Sequence, residues 1–200
     1  MLISCFENNF LKSNSYLIEI DNILVAIDPS YDELFIETII KSKNALKYIF
    51  LTHEHIDHIT GIVKLKKLFK DVLIVATEFT STAILDPKKN LSVFHGFEFV
   101  GEFVDKQISN VDSVKLNENI VIDLYPCKGH SLGGMFISFS NIVFCGDEFI
   151  FELKTVTKMP GGSKSELIKS YNFLHSKFDN KTILYPGHGN FFLLEELKIW

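Results

Sequence analysis

Short apolar runs broken by polar pairs open the chain. Leu2 to Phe6, Tyr16 to Ile20 and Ile23 to Ile27 are β-type stretches, and Asp21-Asn22 between the last two supplies a tight turn, so a hairpin is predicted. From Tyr31 to Ser42 the period changes. Leu34, Phe35, Thr38 and Ile39 recur at helical spacing, and Tyr48 to Leu51 then returns to a buried strand. Ile59 to Lys70 sets Ile59, Ile62, Val63, Leu68 and Phe69 on one side and Lys64, Lys67 and Lys70 on the other, the pattern of an amphipathic helix. Val72 to Ala76 reads as a strand, Glu78 to Leu85 as a helix, and Asp86 to Gly96 as a loop opened by Asp86-Pro87.

The second half is mostly β. Val111 to Leu116, Ile120 to Tyr125, Met135 to Phe139 and Ile142 to Cys145 are apolar runs separated by polar or glycine-containing turns. Ser163 and Glu166 form a capping pattern for a helix running to about Phe178, followed by a strand from Thr182 to Tyr185 and a last helix near Phe192 to Ile199. No linker, repeat or low-complexity tract interrupts this order. It implies one α/β domain over residues 1–200, made of two half-domains whose sheets pack face to face with helices outside.

Composition narrows the function classes. A chain of 200 residues that is 46% hydrophobic can bury a real core, and its net charge of -5, with 20 Lys+Arg scattered among 25 Asp+Glu, gives no general attraction to nucleic acid. The start MLISCFENNF has neither the basic region nor the long apolar core of a secretory signal, and no apolar stretch is long enough for a membrane span. Cys5, Cys127 and Cys145 are odd in number and far apart, which suits reduced thiols; a cytoplasmic location is expected.

The chemistry concentrates directly after the strand ending at Leu51, where Thr52-His53-Glu54-His55-Ile56-Asp57-His58 places three imidazoles and a carboxylate within six positions. Imidazole and carboxylate are the ligands zinc and its neighbours prefer, and a loop at a strand end can turn several side chains to one point. Single candidates recur in the same setting: His130, Asp147 and His188 each follow a predicted strand, with Gly129, Gly133-Gly134, Gly146, Gly187 and Gly189 beside them. Residues just past neighbouring strand ends collect along one edge of a layered sheet. Seven ligands exceed the four of one tetrahedral zinc, whereas two metals sharing a carboxylate would use them all.

The segments THEHIDHITG (52–61), GHSLGG (129–134), FCGDEF (144–149) and YPGHGN (185–190) resemble the successive motifs of the metallo-β-lactamase fold superfamily. NSYLIEIDNILVAIDPS (14–30) is similar to its opening hairpin, and MPGGSKSEL (159–167) with YPGHGN looks like the glyoxalase II branch. The resemblance implies an αββα sandwich with the site at one edge between the sheets. It further implies that His53, His55 and His130 hold a first metal, that Asp57, His58 and His188 hold a second, and that Asp147 bridges. Two motifs depart from the pattern: Cys127-Lys128 stands where relatives read Thr-Pro, and Cys145 where many read Thr before Gly-Asp. The chain ends twelve residues after His188, short of the helical domain that binds glutathione in longer glyoxalase II enzymes.

Other candidates have ordinary readings beside the functional ones. Asp57 alone would also serve as the N-cap of a helix starting near Ile59. His95 reads as a solvated loop residue, His175 as packing along a helical stripe with Ile168, Tyr171 and Phe178, and Cys127 and Cys145 as small side chains rather than nucleophiles. Asp28 suits either a turn or a hydrogen bond to a ligand histidine. Phe94, Phe97 and Phe99 are candidates for a substrate mouth.

The expected activity is that of a dinuclear metallo-hydrolase, with zinc ahead of iron or manganese and a hydroxide shared by two metals roughly 3.5 to 4 Å apart as nucleophile. Asp147 as the bridge and Asp57 as ligand and proton relay are the candidate catalytic residues. The resemblance favours a small acyl thioester such as S-lactoylglutathione as substrate, with lactones and other esters behind. A mononuclear iron dioxygenase acting on persulfides, using His53, His130 and Asp147 as a facial triad, is the alternative from another reaction class; a non-enzymatic diiron module is a third.

Overall fold

The protein, a computed structural model, is described over residues 1–199. Twelve strands form two six-stranded sheets, each ordered as its strands follow one another in the chain. The first holds β1 (Leu2–Glu7), β2 (Asn14–Ile20), β3 (Ile23–Ile27), β4 (Ala45–Phe50), β5 (Leu73–Thr77) and β6 (Lys106–Ile108). The turn over residues 8–13 makes β1 and β2 antiparallel, the hairpin at Asp21-Asn22 does the same for β2 and β3, and helical crossovers make β3 to β6 parallel. The second sheet holds β7 (Asp112–Lys115), β8 (Val121–Pro126), β9 (Met135–Phe139), β10 (Ile142–Gly146), β11 (Ile183–Pro186) and β12 (Phe192–Leu193), antiparallel except for β10 beside β11.

The apolar runs are continuous because the inner strands are buried on both faces. Val25, Ile27, Phe50 and Val75 of the first sheet meet Ile122, Leu124, Ile137 and Phe144 of the second between the sheets. Their neighbours in sequence point the other way. Leu24, Ala26, Ile49 and Ile74 pack under α1 (Glu33–Lys41) and α2 (Ile62–Leu68), and Phe136, Val143 and Leu184 pack against Leu167 and Leu174 of α4 (Lys164–Lys177). The result is the αββα sandwich implied by the motifs. The remaining helix is α3 (Glu78–Ala83), capped by Thr77 as α1 is by Asp32 and α4 by Ser163.

Three sequence readings are corrected. The final segment is not a helix: Phe192 and Leu193 pair with Leu184 and Ile183, and only Leu194–Glu196 makes a 3₁₀ turn, so ladder hydrogen bonds to β11 override the helical spacing. The edge strand Lys106–Ile108 escaped the sequence reading because three residues, two of them polar, carry no usable periodicity. The helix expected from Ile59 begins at Ile62 with Gly61 as its cap, after a separate 3₁₀ turn over Ile56–His58, so Asp57 does not cap it. Among the described residues no helix is long and apolar enough to cross a membrane.

Candidate metal centre

The ends of β4, β8, β10 and β11 deliver His53, His55, Asp57, His58, His130, Asp147 and His188 to one place. His53, His55 and His130 form one cluster of ligand atoms within 4.8 Å of one another; Asp57, His58 and His188 form another. Asp147 lies against both. Its Oδ1 is 3.5 Å from His58 Nε2, and its Oδ2 is 3.3 Å from His188 Nε2 and 3.7 Å from His130 Nε2. Asp57 Oδ2 sits 3.3 Å from His58 Nε2 and 3.2 Å from His188 Nε2. The histidines of the first cluster and His58 are buried, while His188, 21% exposed, forms the open side.

Hydrogen bonds behind the imidazoles decide which nitrogen faces inward. His130 Nδ1 donates to the Val156 carbonyl at 3.0 Å, His188 Nδ1 to the Lys12 carbonyl at 3.0 Å, and His58 Nδ1 to Asp28 Oδ2 at 3.1 Å. His53 Nδ1 lies 3.0 Å from the Thr52 hydroxyl, which itself donates to Asp28. These four rings therefore turn Nε2 to the centre, the arrangement by which outer partners orient metal-binding histidines. His55 is reversed: its Nδ1 lies 3.0 Å from His130 Nε2. Asp28 serves as both turn and anchor: its carbonyl accepts the Ser30 N–H at 2.9 Å, and its Oδ1 accepts the Thr52 N–H at 2.7 Å.

The electrostatics divide the centre. Burial holds the His53 and His130 imidazoles below their ordinary value and pushes His55 down to about 3, so these three are neutral, the form that binds metal. Burial opposes protonation of His58 too, but Asp57 and Asp147 outweigh it and hold this imidazole well above its usual value. His188 is likewise raised to about 9, against burial, by its bonds to Asp147 and Asp57. Both carboxylates are held well below their usual range, because His58 and His188 outweigh the opposing effect of burial.

The donor set fits a cation. His53 Nε2, His58 Nε2 and Asp147 Oδ1 are buried at the centre without hydrogen-bond partners, and orphaned polar atoms converging on one point are what a bound ion satisfies. His55 Nε2 is also unpartnered, and nothing around it explains that.

Other candidates separate cleanly. His95 is exposed and meets Phe10 edge-on at 5.4 Å; His175 lies against Tyr171 with the rings tilted; Phe99 is partly buried against the helix-side core, whereas Phe94 is 72% exposed. Cys127 and Cys145 are buried free thiols, pushed well up by burial and, for Cys145, next by Asp147; neither is a ready nucleophile. Sequence reasoning missed the β1–β2 turn. There the Ser13 hydroxyl donates to the Asp57 carbonyl at 2.6 Å and the Lys12 carbonyl holds His188, with Leu11 and Lys12 both at positive φ. Backbone carbonyls leave no trace in residue type, so only the run of turn formers around Asn8-Asn9 hinted at it. Two buried glutamates adjoining ligands, Glu54 and Glu148, were also missed.

Comparison with known proteins agrees with this geometry. Residues 8–188 match the family model described as "Metallo-beta-lactamase superfamily". A "Probable metallo-hydrolase" of Streptococcus pyogenes serotype M6 is 27% identical over 189 residues, covering 91% of this chain and 81% of that protein. A hydroxyacylglutathione hydrolase of Buchnera aphidicola is 27% identical over 194 residues, covering 93% of this chain but only 64% of the relative. The crystal structure of the BLEG-1 B3 metallo-beta-lactamase superposes with a TM-score of 0.90 at 21% identity, covering 98% of this chain and 95% of that one, a likeness of fold.

Proposed function

This chain belongs to the metallo-beta-lactamase superfamily, and from that premise we propose that it is a dinuclear metal-dependent hydrolase of small acyl thioesters. The observation that carries the reading is Asp147, whose carboxylate lies against both ligand clusters, 3.5 and 3.3 Å from His58 and His188 of one and 3.7 Å from His130 of the other. In this reading His53, His55 and His130 hold one divalent ion, Asp57, His58 and His188 hold the other, and Asp147 is shared. Five imidazoles and two carboxylates favour zinc, with iron and manganese accommodated by the same donors. When bound, the two ions supply Lewis acidity and lower the pKa of a coordinated water to about 7.

The chain's own residues do the rest. The Thr52, Asp28, Lys12 and Val156 contacts fix the imidazoles before any ion arrives, so little reorganisation is needed on binding. Asp57, held by His58 and His188, is placed to pass a proton to the departing thiol as well as to bind metal. No side-chain nucleophile is required, and the two buried thiols stay outside the chemistry. The thioester preference rests on the hydroxyacylglutathione hydrolases among the relatives. Because the chain spans less than two thirds of the Buchnera protein's length, the glutathione portion of such substrates belongs to the proposal alone. Three free cysteines accord with a cytoplasmic location, part of the same reading.

The deciding experiment compares S-lactoylglutathione hydrolysis with persulfide-dependent oxygen uptake on one metal-loaded preparation. Thioester turnover without oxygen uptake is expected. Robust oxygen uptake with a single bound iron and no thioester turnover would replace the hydrolase by a dioxygenase on the same fold. A companion measurement concerns the thiols: Cys127→Ala and Cys145→Ala are each expected to retain most of the turnover, and loss of turnover in both with metal still bound would point to thiol chemistry instead.

A further inference from the structure

We propose that Glu54 and Glu148 are positioning residues that hold the turn carrying His130 at its two ends, and thereby set the affinity of the metal position to which His130 belongs. The inference rests on the dinuclear reading above. Glu54 lies between His53 and His55, and Glu148 directly follows Asp147. Each side chain leaves its own ligand-bearing loop and reaches the third, residues 127–134.

Glu148 Oε2 accepts the His130 backbone N–H at 2.8 Å. Glu54 Oε2 accepts the Ser131 hydroxyl at 3.2 Å, and that hydroxyl in turn accepts the Gly133 N–H at 3.2 Å. The Thr77 and Thr80 hydroxyls complete this end by donating to the Gly133 carbonyl, each at 2.9 Å.

The glycines of the turn make room for the two carboxylates. A Cβ on Gly129 would stand 2.3 Å from Glu148 Oε1, and one on Gly133 would stand 2.4 Å from Glu54 Oε2. Thr80 Oγ1, 2.2 Å from a Cβ on Gly133, and Leu167 Cα, 2.8 Å from a Cβ on Gly129, crowd the same positions, so the glycines leave room for the glutamates together with these neighbours.

Both acids are only 2–3% exposed, and neither has a cationic side-chain partner among the described residues. Burial raises both carboxyls to about 7. A role in packing alone would be met by an apolar residue without that penalty. What an apolar residue cannot provide is an acceptor for the His130 N–H and the Ser131 hydroxyl.

The test uses the full chain stripped of metal and reloaded with Zn²⁺ against a chromophoric chelator, for Ala and Gln variants at both positions. Glu148→Ala and Glu54→Ala are expected to weaken one of the two zinc positions by about 10–100-fold and to leave the other unchanged, the usual consequence of losing an outer partner. Glu148→Gln and Glu54→Gln are expected to restore the affinity, because the amide oxygen still accepts the same bond. In the metal-free protein, amide hydrogen exchange at His130 is expected to quicken in Glu148→Ala and not in Glu148→Gln.

Folded Ala variants that bind both zinc ions with wild-type affinity would overturn the inference, as would Gln variants as weak as the Ala variants. If the wild-type chain bound no zinc, the dinuclear reading itself would fall. The His130 exchange rates would still decide whether the glutamate clamp exists.

Discussion

Asp147→Ala is expected to lower thioester hydrolysis by at least about 10³-fold, roughly 4 kcal/mol of transition-state stabilisation, and to deplete both metals rather than one. Its carboxylate lies against both ligand clusters, 3.5 Å from His58 Nε2 and 3.3 Å from His188 Nε2 of one and 3.7 Å from His130 Nε2 of the other. Removing it takes a ligand from each position. It also removes a negative charge that raises the His58 and His188 imidazoles above their ordinary value. By contrast, His188→Ala removes a partly exposed ligand from one cluster and is expected to lose a single metal. The pair of variants, measured for metal content and for kcat/KM, separates a shared ligand from an unshared one. Asp147→Ala retaining one full equivalent of tightly bound metal would contradict the bridging assignment.

The second large effect falls on a residue that touches no metal. Asp28 is 2% exposed and accepts from the Thr52 N–H, the Thr52 hydroxyl and His58 Nδ1. Asp28→Ala strands the Thr52 N–H and His58 Nδ1 inside the protein, and loss of one partner from a buried charged pair costs about 3–5 kcal/mol. Denaturant unfolding of the metal-free protein measures that cost without any contribution from bound ions. Two of the imidazole orientations also run through this carboxylate, His58 directly and His53 by way of Thr52. Metal affinity is therefore expected to fall about 10–100-fold as well. Asp28→Asn, which keeps one acceptor oxygen, should lie between. An Asp28→Ala protein within about 1 kcal/mol of wild type would show that the network carries little of the site's rigidity.

The site was more legible in the sequence than the edges of the fold. THEHIDH announces itself because three histidines and an aspartate crowd one strand end, and His130, Asp147 and His188 repeat that setting beside glycines. The structure brings all seven together, because β4, β8, β10 and β11 end at one edge of the two sheets. Short edge elements carried weaker signals. Phe192 to Ile199 has helical spacing, yet β11 offers Phe192 and Leu193 a ladder, and that tertiary partner is invisible in the segment itself. Phe99 lies near the long loop, a position that makes it a mouth candidate by sequence, and its partial burial against the cluster holding Ile84 is a tertiary contact that the loop's sequence does not reveal. The outer partners divide by chemistry. Asp28 is a candidate by sequence because its carboxylate follows a strand, where it suits a turn or a hydrogen bond to a ligand histidine equally. The carbonyls of Lys12 and Val156, which fix His188 and His130, belong to the backbone and leave no mark on residue type.

Hydrolysis is expected to need two metal ions held by these seven side chains. This requirement is tested most directly by measuring thioester hydrolysis while the chelated, metal-free protein is reloaded stepwise with Zn²⁺. Activity is predicted to be absent without metal and to reach its plateau only as the second equivalent binds. Full activity in the metal-free protein, or a plateau at one equivalent with no further binding, would contradict the account.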